Sequence, residues 1–373
     1  MRALVIGAGI GGLSAGIALR QAGVEAVVFE QAAKLEEIGA GLALSRNAFT
    51  ALGALALAGG VRARGALASR VQIRTWRGEV LVEFVPDEPE LELVGIHRAA
   101  LQSVLVDALD RGALALGKRC VGVGDEGYGV VARFADGSKE RGDFLVGADG
   151  IDSVVRAGLF GLEEPRYAGY VGWRAVADLD VGGTMSESWG AGLRVGIVPI
   201  GEGRVYWFVS ANSPERTRDL FPADAAALRE RLRDWHDPIP ALTEATPEEA
   251  ILGTGIYDRK PSGHWGRGRV TLLGDAAHPV TPNLGQGAAL AIEDAVVLAI
   301  CLGAGRPVPA ALRRYERLRR RRVAPIVRQS WRFGRLAQAE SRLGCALRDV
   351  VARRTPEWLA RAQRRRLVAF EVS

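Results

Sequence analysis

The N-terminal residues alternate between short apolar runs and one segment with helical spacing. Residues 3–6 are continuously apolar, which is typical of a buried parallel strand, and residues 13–22 place apolar side chains at helical intervals. Residues 25–30 form a second strand-like segment that ends in Glu30. This order predicts a βαβ unit with Gly7, Gly9 and Gly12 at its first turn.

Beyond this unit the pattern is dominated by strands, and helices return near the C-terminus. Shorter segments predict a hairpin, a helix, a small sheet and a strand at 71–85, 97–109, 121–139 and 144–150. Longer strands with one helix follow at 171–177, 193–199, 205–210 and 223–235. A strand at 269–274 precedes a long helix from residue 288. The expected fold class is α/β, with a Rossmann-like domain interleaved with a β-sheet domain and C-terminal helices.

The first glycine motif has the context that dinucleotide binding requires. Gly7 permits the tight turn, Gly9 the close approach of a pyrophosphate, and Gly12 the close packing of helix on strand. The phosphates would meet the free N–H groups at the start of the helix, around Ile10 and Gly11. We therefore expect a dinucleotide at this turn.

Glu30 and a second glycine motif narrow this expectation. A carboxylate at the end of the second strand accepts hydrogen bonds from a ribose 2′-OH and disfavours a 2′-phosphate, so FAD or NAD fits better than NADP. Gly122, Gly124 and Gly127 also satisfy the spacing, but a strand over 128–134 and a hairpin turn follow them. Because no helix N-terminus follows, we interpret this second motif as a sheet turn. One dinucleotide fold is expected.

Composition excludes several classes of protein. The 373 residues are 48% hydrophobic and 25% charged with a net charge of +6, as expected for a globular protein with two interleaved domains. Three distant cysteines and four histidines without ligand spacing predict no disulfide and no bound metal, which suits a reducing cytoplasm. No apolar run is long enough to span a membrane, and the first strand leaves no room for a signal peptide.

The basic run at 313–322 does not indicate nucleic-acid binding. It lies in a helical segment whose apolar stripe consists of Leu312, Tyr315, Leu318 and Val323. We expect a solvated helix face here and no nucleic-acid partner.

Three motifs in order carry a family resemblance. They are Gly7-x-Gly9-x-x-Gly12, then Gly147-Ala148-Asp149-Gly150 continuing to Arg156, then Gly274-Asp275 continuing through His278-Pro279 to Pro282-Asn283-Leu284-Gly285-Gln286-Gly287. From residue 1 to about 325 the chain resembles the single-component FAD-dependent aromatic hydroxylases, the para-hydroxybenzoate hydroxylase family, and among them the urate and salicylate hydroxylases.

The resemblance implies roles for individual residues toward FAD. Asp275 would bind the ribityl chain, Arg98 would meet the phosphates with Gln102 on the same helix face, and Asp149 would lie near the pyrophosphate and the path of NAD(P)H. The helix that follows would direct its N-terminus at the flavin N1–C2=O edge. The residues implied there are Pro282, Gly285, Gln286 and Gly287. His278 is interpreted as structural.

The pattern of elements predicts a domain division, and the resemblance implies an activity. The FAD-binding domain would comprise 1–70, 94–166 and 265–325, the substrate domain 71–93 and 167–264, and a helical segment 326–373. NADH or NADPH would reduce the flavin, and O2 would add to give a C4a-hydroperoxide that hydroxylates or epoxidises a small aromatic or conjugated substrate. The alternative is a non-oxygenating reductase or cyclase of the same fold. We expect a monomer or homodimer.

Arg194 and Tyr206 are the candidate catalytic residues at the substrate. They lie in a frame similar to that of the urate-hydroxylating flavoproteins, in which an Arg and a Tyr at this spacing act on the substrate. Arg194 could instead be a sheet-surface residue and Tyr206 a core residue. Those enzymes have an Asp where this chain has Asn283, so the expected substrate is not specifically urate.

Overall fold

The computed structural model describes residues 1–35, 40–86, 91–215, 218–219 and 221–372. In chain order the strands are β1 (Arg2–Ile6), β2 (Glu25–Phe29), β3 (Gly41–Ser45), β4 (Gly65–Leu67), β5 (Arg70–Thr75), β6 (Val80–Phe84), β7 (Leu93–His97), β8 (Leu114–Ala115), β9 (Cys120–Asp125), β10 (Val130–Phe134), β11 (Lys139–Gly142), β12 (Phe144–Gly147), β13 (Arg166–Asp178), β14 (Thr184–Trp189), β15 (Leu193–Gly201), β16 (Arg204–Asn212), β17 (Phe221–Pro222), β18 (Leu252–Asp258), β19 (Gly266–Arg267) and β20 (Val270–Leu272). The helices are α1 (Ile10–Gln21), α2 (Arg46–Ala54), α3 (Ala58–Ala63), α4 (Arg98–Asp107), α5 (Val154–Phe160), α6 (Ala225–Leu232), α7 (Ile239–Glu244), α8 (Gly287–Gly303), α9 (Val308–Ala337), α10 (Arg342–Arg354) and α11 (Glu357–Val368).

A six-stranded sheet carries the βαβ unit. Its strand order is β19-β20-β12-β1-β2-β8, and every neighbouring pair except β19–β20 is parallel. The central strands β1 and β12 are apolar and almost wholly buried, as parallel strands between two layers require. Helix α1 connects β1 to β2 and packs against α8, which begins far later in the chain. The carboxyl end of β1 thereby meets the start of α8.

An eight-stranded sheet forms the second large layer, with the order β17-β18-β13-β16-β15-β14-β5-β6. Alternation along β16 separates its two faces. Val205, Trp207 and Val209 pack against the apolar sides of α6 and α7. Tyr206 and Phe208 point to the opposite face. One face of this sheet therefore closes a core, while the other faces a cavity.

Two three-stranded sheets complete the fold. The order of the first is β11-β10-β9, and that of the second is β3-β7-β4. The second glycine motif begins in β9 and leads by a turn into β10, its antiparallel partner, so the prediction of a sheet turn is confirmed. Among the described helices, none combines the length and apolar character needed to cross a bilayer.

The predicted fold class is confirmed, but two details of the helices differ. The helix expected over 223–235 is α6, and a separate helix, α7, follows it. On α9 the apolar stripe is interrupted: Leu318 is 41% exposed, whereas Arg319 is 2% exposed. The expected solvated face is present for most of the basic run, but Arg319 is an exception. Arg319 points inward because α8 presents two buried carboxylates to α9. The division into domains stays a prediction.

Candidate active site

One cavity of about 460 Å³ extends from the first glycine turn to the inner face of the eight-stranded sheet. Its walls come from α1, α4, the segment 273–291 and strands β3, β13, β15 and β16. Of the residues predicted to form the site, those that line it are Gly9, Ile10, Gly11, Arg98, Arg194, Tyr206, Asp275, Pro282, Gly285 and Gly287. The cofactor and substrate motifs thus share one continuous space.

The three glycines of the first motif have different structural roles. A Cβ on Gly7 would lie 2.5 Å from the Ala148 carbonyl oxygen, and the φ of Gly7 is +102°. A Cβ on Gly12 would lie 1.8 Å from the Gly7 oxygen. By contrast, no atom lies within 4 Å of a Cβ built on Gly9. Gly7 and Gly12 are required by packing, whereas Gly9 leaves open space at the cavity wall.

Two helix N-termini border the cavity. Ile10 and Gly11 begin α1, and Gly287 begins α8. The first N–H groups of a helix have no partner within it, and they carry the positive end of the helix dipole. Gly285 precedes α8 in the left-handed conformation, with φ of +62°, and follows a short 3-10 turn that begins at Pro282. The cavity therefore offers backbone N–H donors at the N-terminus of α1 and at the N-terminus of α8, and such donors suit an anion or a polar ring.

Glu30 and Gln102 hold the first turn from outside the cavity lining. Glu30 accepts hydrogen bonds from the backbone N–H groups of Ala8, at 2.7 Å, and Ala32, at 2.9 Å. The Gln102 amide donates to the Ala8 oxygen at 3.2 Å. Each carboxylate oxygen of Glu30 has a further lone pair, so it can still accept a ribose hydroxyl.

Arg98 and Asp275 supply opposite charges to the cavity. Within the described residues, neither side chain has a hydrogen-bond or ion-pair partner. Asp275 is exposed where it faces the cavity, although it lies deep in the protein. Burial raises the pKa of Asp275, against the opposing effects of His278 and Arg98. A guanidinium suits a pyrophosphate and a carboxylate suits a polyol, so these residues fit FAD.

Unlike Asp275, Asp149 is not among the residues that line the cavity. Its carboxylate accepts hydrogen bonds from the Ser153 hydroxyl at 2.6 Å and from the Val155 N–H at 3.1 Å, at the start of α5. Burial raises the pKa of Asp149, and these hydrogen bonds oppose the rise. The neighbouring Gly150, with φ of +79°, lines the cavity instead. Asp149 therefore orders the turn that brings this backbone to the site.

Gln286 is also structural rather than cavity-facing. Its side chain donates to the Ser45 hydroxyl at 3.1 Å and accepts from the Asn47 amide at 2.9 Å. Asn47 donates in turn to Glu293 at 2.6 Å. These bonds attach the loop before α8 to the start of α2.

A buried ion cluster beneath the second glycine motif was not predicted. Asp294 accepts from His278 Nε2 at 2.6 Å, from the Gly274 N–H at 3.0 Å and from Arg319 Nε at 2.5 Å. Burial acts to raise the pKa of Asp294, but His278 and Arg319 lower it overall. Glu293 pairs with Arg319 at 2.7 Å. The cluster fixes the turn that presents Asp275. The residues of the cluster come from separate segments of the chain that share no sequence pattern, so no pattern in the sequence indicated it.

Arg194 lines the cavity, but its guanidinium is committed to protein partners. It is 1% exposed. It donates to Gln338 at 2.8 Å, to Glu187 at 3.0 Å and to Asn283 at 2.7 Å. These bonds use three of the five N–H groups of the guanidinium, and a role for Arg194 toward the substrate stays a prediction. Glu187 supplies a carboxylate to this cluster, and Asn283 supplies an amide oxygen.

Tyr206 lies on the same face of the sheet as Arg194. In the antiparallel register Val198 is opposite Tyr206, and Arg194 is opposite Ser210, so the two strands present these side chains together. The Tyr206 hydroxyl has no hydrogen-bond partner within the described part of the chain. Burial raises the pKa of Tyr206 to about 12. The phenol thus remains a protonated donor facing the cavity.

Sequence reasoning missed Arg174 on β13. It lines the cavity beside Trp173, and burial lowers its pKa. A single arginine within the otherwise apolar strand expected at 171–177 was the signal that could have identified it.

Comparison with known proteins decides the family. A sequence profile described as "FAD binding domain" matches residues 1–330. The chain belongs to this FAD-binding family. The predicted membership among FAD-dependent aromatic hydroxylases is confirmed, and FAD is the cofactor of the family to which this site belongs.

Relatives of this FAD-binding protein are flavin-dependent monooxygenases. It is 43% identical to the aurachin C monooxygenase/isomerase of Stigmatella aurantiaca, over 98% of this chain and 97% of that one. It is 36% identical to an FAD-dependent urate hydroxylase of Klebsiella pneumoniae, over 88% of each. The structure of Klebsiella pneumoniae HpxO complexed with FAD and uric acid superposes with a TM-score of 0.90 at 30% identity, covering 99% of this chain and 96% of that chain. The prediction of a flavin-dependent monooxygenase agrees with these findings.

Proposed function

We propose that the protein uses NADH or NADPH and O2 to insert one oxygen atom into a small aromatic or conjugated ring. The observation that carries the proposal is the single cavity that joins Gly9, Arg98 and Asp275 to the face of the sheet that bears Tyr206. A cofactor held at one end of that cavity would have its reactive ring beside a substrate held at the other end.

The cofactor end would be held by complementary charges. Arg98 and the N-terminus of α1 would bind the pyrophosphate, Glu30 a ribose hydroxyl, and Asp275 the ribityl hydroxyls. The start of α8 at Gly287 would donate to the flavin ring and stabilise negative charge there by up to ~2 kcal/mol. When bound, FAD would supply hydride acceptance and oxygen activation.

The substrate end combines apolar walls with a few polar groups. Val198, Phe208 and Ile256 line it, together with Tyr206. Apolar walls exclude water from the reacting atoms and hold a planar ring, while a polar group fixes its orientation. Arg194 acts as a positioning residue, because its hydrogen bonds join β14, β15, the loop before α8 and the end of α9.

The nicotinamide cofactor would bind transiently. The chain has one dinucleotide motif, and we assign that motif to FAD. A cytoplasmic location, a monomeric or homodimeric state and the three-part domain division also remain our proposals.

The test is oxygen consumption by purified, FAD-loaded protein in air. NADH and NADPH oxidation, O2 uptake and peroxide would be followed with a panel of phenols, purines, quinolones and polyenes. We expect at least one compound to stimulate NAD(P)H oxidation and O2 uptake with less peroxide than in its absence. Substrate conversion without oxygen uptake would instead support a non-oxygenating reductase or cyclase.

A further inference from the structure

Helix α10 carries an apolar stripe that the described part of the chain leaves uncovered. Leu343 is 81% exposed and Leu347 is 63% exposed, while Val350 and Val351 are about half exposed. These four residues, the α10 stripe, follow the i, i+4, i+7, i+8 spacing of one helix face. A contiguous exposed stripe of large apolar side chains, unlike a single exposed one, marks an interaction surface.

The opposite face of α10 is fixed to the protein, so the α10 stripe cannot turn inward. Arg348 is 1% exposed and donates to the backbone oxygens of Gly190 at 2.8 Å and Ala337 at 3.1 Å. The Ser341 hydroxyl caps the start of the helix by accepting from the Gly344 N–H at 3.1 Å. Because the buried Arg348 sets the rotation of the helix about its axis, the stripe faces solvent as a rigid surface.

Helices α10 and α11 together hold the excess positive charge of the chain. They contain eight arginines and two acidic residues, a net charge of +6. The net charge of the whole chain is also +6, so the rest of the chain is formally neutral at pH 7. Arg342 and Arg354 are exposed at the first and last positions of α10, and Trp358, at the start of α11, is 71% exposed. An apolar face with arginines beside it and an exposed tryptophan nearby is typical of helices that lie in the interface of an anionic bilayer.

We propose that the α10 stripe, with the arginines at its two ends, docks the protein on the surface of an anionic phospholipid bilayer. The leucines and valines enter the boundary between headgroups and acyl chains, and Arg342 and Arg354 extend their charged ends to the lipid phosphates. Contact of this kind needs no spanning helix, which agrees with the helices that the structure describes. The inference goes beyond oxygen insertion and does not depend on it.

Charge disfavours a second copy of the chain as the occupant of this surface. Two stripes related by a two-fold axis would bring the arginines of one α10 close to those of the other, and like charges oppose association. The one acidic residue of α10, Asp349, pairs with Arg348 at 2.8 Å. The helix therefore has no other carboxylate to place opposite Arg342 and Arg354, whereas lipid phosphates supply negative charge.

The experiment measures binding of the FAD-loaded protein to vesicles by flotation, over a series of salt concentrations. One set of vesicles is phosphatidylcholine alone, and the other is an equimolar mixture of phosphatidylcholine and phosphatidylglycerol. Two variants alter the proposed surface. They are Leu347→Glu and the double variant Arg342→Gln/Arg354→Gln.

Each variant has a control that makes the same change of charge on another part of the surface. Leu162→Glu is the control for Leu347→Glu, because Leu162 is 94% exposed and lies outside α10 and α11. Arg111→Gln/Arg267→Gln is the control for the double variant, because both arginines are exposed and lie outside the two helices. FAD absorbance and melting temperature check that all five proteins are folded.

We expect wild type to float with the anionic vesicles and far less with phosphatidylcholine, and its binding should weaken as salt is raised. Leu347→Glu should lose about tenfold or more in vesicle affinity, because a charge replaces an apolar side chain that enters the bilayer. The double arginine variant should lose roughly tenfold, and both controls should stay close to wild type.

Three results would overturn the inference. They are failure of wild type to bind the anionic vesicles at low salt, wild-type affinity in Leu347→Glu, and equal losses in the variants and their controls. A dimer in sedimentation equilibrium that Leu347→Glu dissociates, without vesicle binding by wild type, would assign the stripe to a second copy instead. If Leu347→Glu does not fold, Leu343→Glu decides in its place.

Discussion

Replacing Asp275 by asparagine separates binding of FAD from stability of the fold. In the structure its carboxylate faces the cavity and has no partner within the described residues. If it accepts a charge-assisted hydrogen bond from a ribityl hydroxyl, loss of the charge should cost about 1.5–3 kcal/mol of binding free energy. The expected increase in the Kd for FAD is roughly 10- to 150-fold.

Asp149→Asn is the matched comparison. Both oxygens of Asp149 accept hydrogen bonds within the protein, and an amide retains one acceptor. The FAD-free Asp149→Asn protein should be about 1–3 kcal/mol less stable than wild type. Its loss of FAD affinity should be smaller than that of Asp275→Asn. Asp275→Asn should leave the stability of the FAD-free protein unchanged or higher. The reason is that burial raises the pKa of Asp275. At pH values above that pKa, the ionised carboxylate therefore destabilises the folded FAD-free protein, and asparagine carries no charge.

The pH dependence has a definite sign. FAD would favour ionised Asp275, so FAD affinity of wild type should fall as pH falls through the raised pKa of Asp275 in the FAD-free protein. Asp275→Asn should lack that dependence. FAD titration by flavin fluorescence and urea unfolding measure both quantities. Equal FAD affinity in wild type and Asp275→Asn, or equal loss of stability in the Asp275 and Asp149 variants, would refute the reasoning.

Three further predictions test the site. Gly9→Ala should fold normally and bind FAD weakly, whereas Gly12→Ala, whose Cβ would meet a backbone oxygen at 1.8 Å, should accumulate poorly or melt at lower temperature. Circular dichroism melting and FAD titration check this pair, and equal melting temperatures would contradict it. Glu187→Gln should lower the free energy of unfolding by about 1–3 kcal/mol, because it removes the charge opposite a buried guanidinium, and Arg194→Gln should lower it at least as much. Urea denaturation measures both, and unchanged stability in either would mean that the pair is not structural. Tyr206→Phe should retain FAD and stability but reduce substrate-stimulated NAD(P)H oxidation, since only a hydroxyl that faces the cavity is removed. A rate of substrate-stimulated NAD(P)H oxidation equal to that of wild type would show that the Tyr206 hydroxyl has no role in the reaction.

Local patterns predicted the parts of the site that neighbouring residues determine. The turn at Gly7 follows from an apolar strand and a helix that flank it, and both are present. The hairpin that brings Tyr206 beside β15 follows from strand alternation and the glycines at 201 and 203. In each case the interacting residues lie close together in sequence, so periodicity and turn chemistry suffice.

Long-range side-chain partners were beyond such patterns. Gln338 reaches Arg194 from the end of α9, and Arg319 reaches Asp294 from the adjacent helix. Nothing in a single sequence indicates which distant acceptor a given arginine will contact. The three acceptors that contact Arg194 could not be predicted for that reason. The burial of Arg319 depends equally on carboxylates that only the packing of α8 against α9 brings close.

Oxygen insertion is the central claim, and isotope labelling tests it most directly. FAD-loaded protein would be supplied with NADH or NADPH, a ring compound that stimulates its O2 uptake, and ¹⁸O2, and the product mass would be measured. We predict product that carries one ¹⁸O atom from O2, with NAD(P)H consumed in equal amount. Product without label, or NAD(P)H oxidation that yields only hydrogen peroxide with every compound in the panel, would contradict the proposed monooxygenase activity.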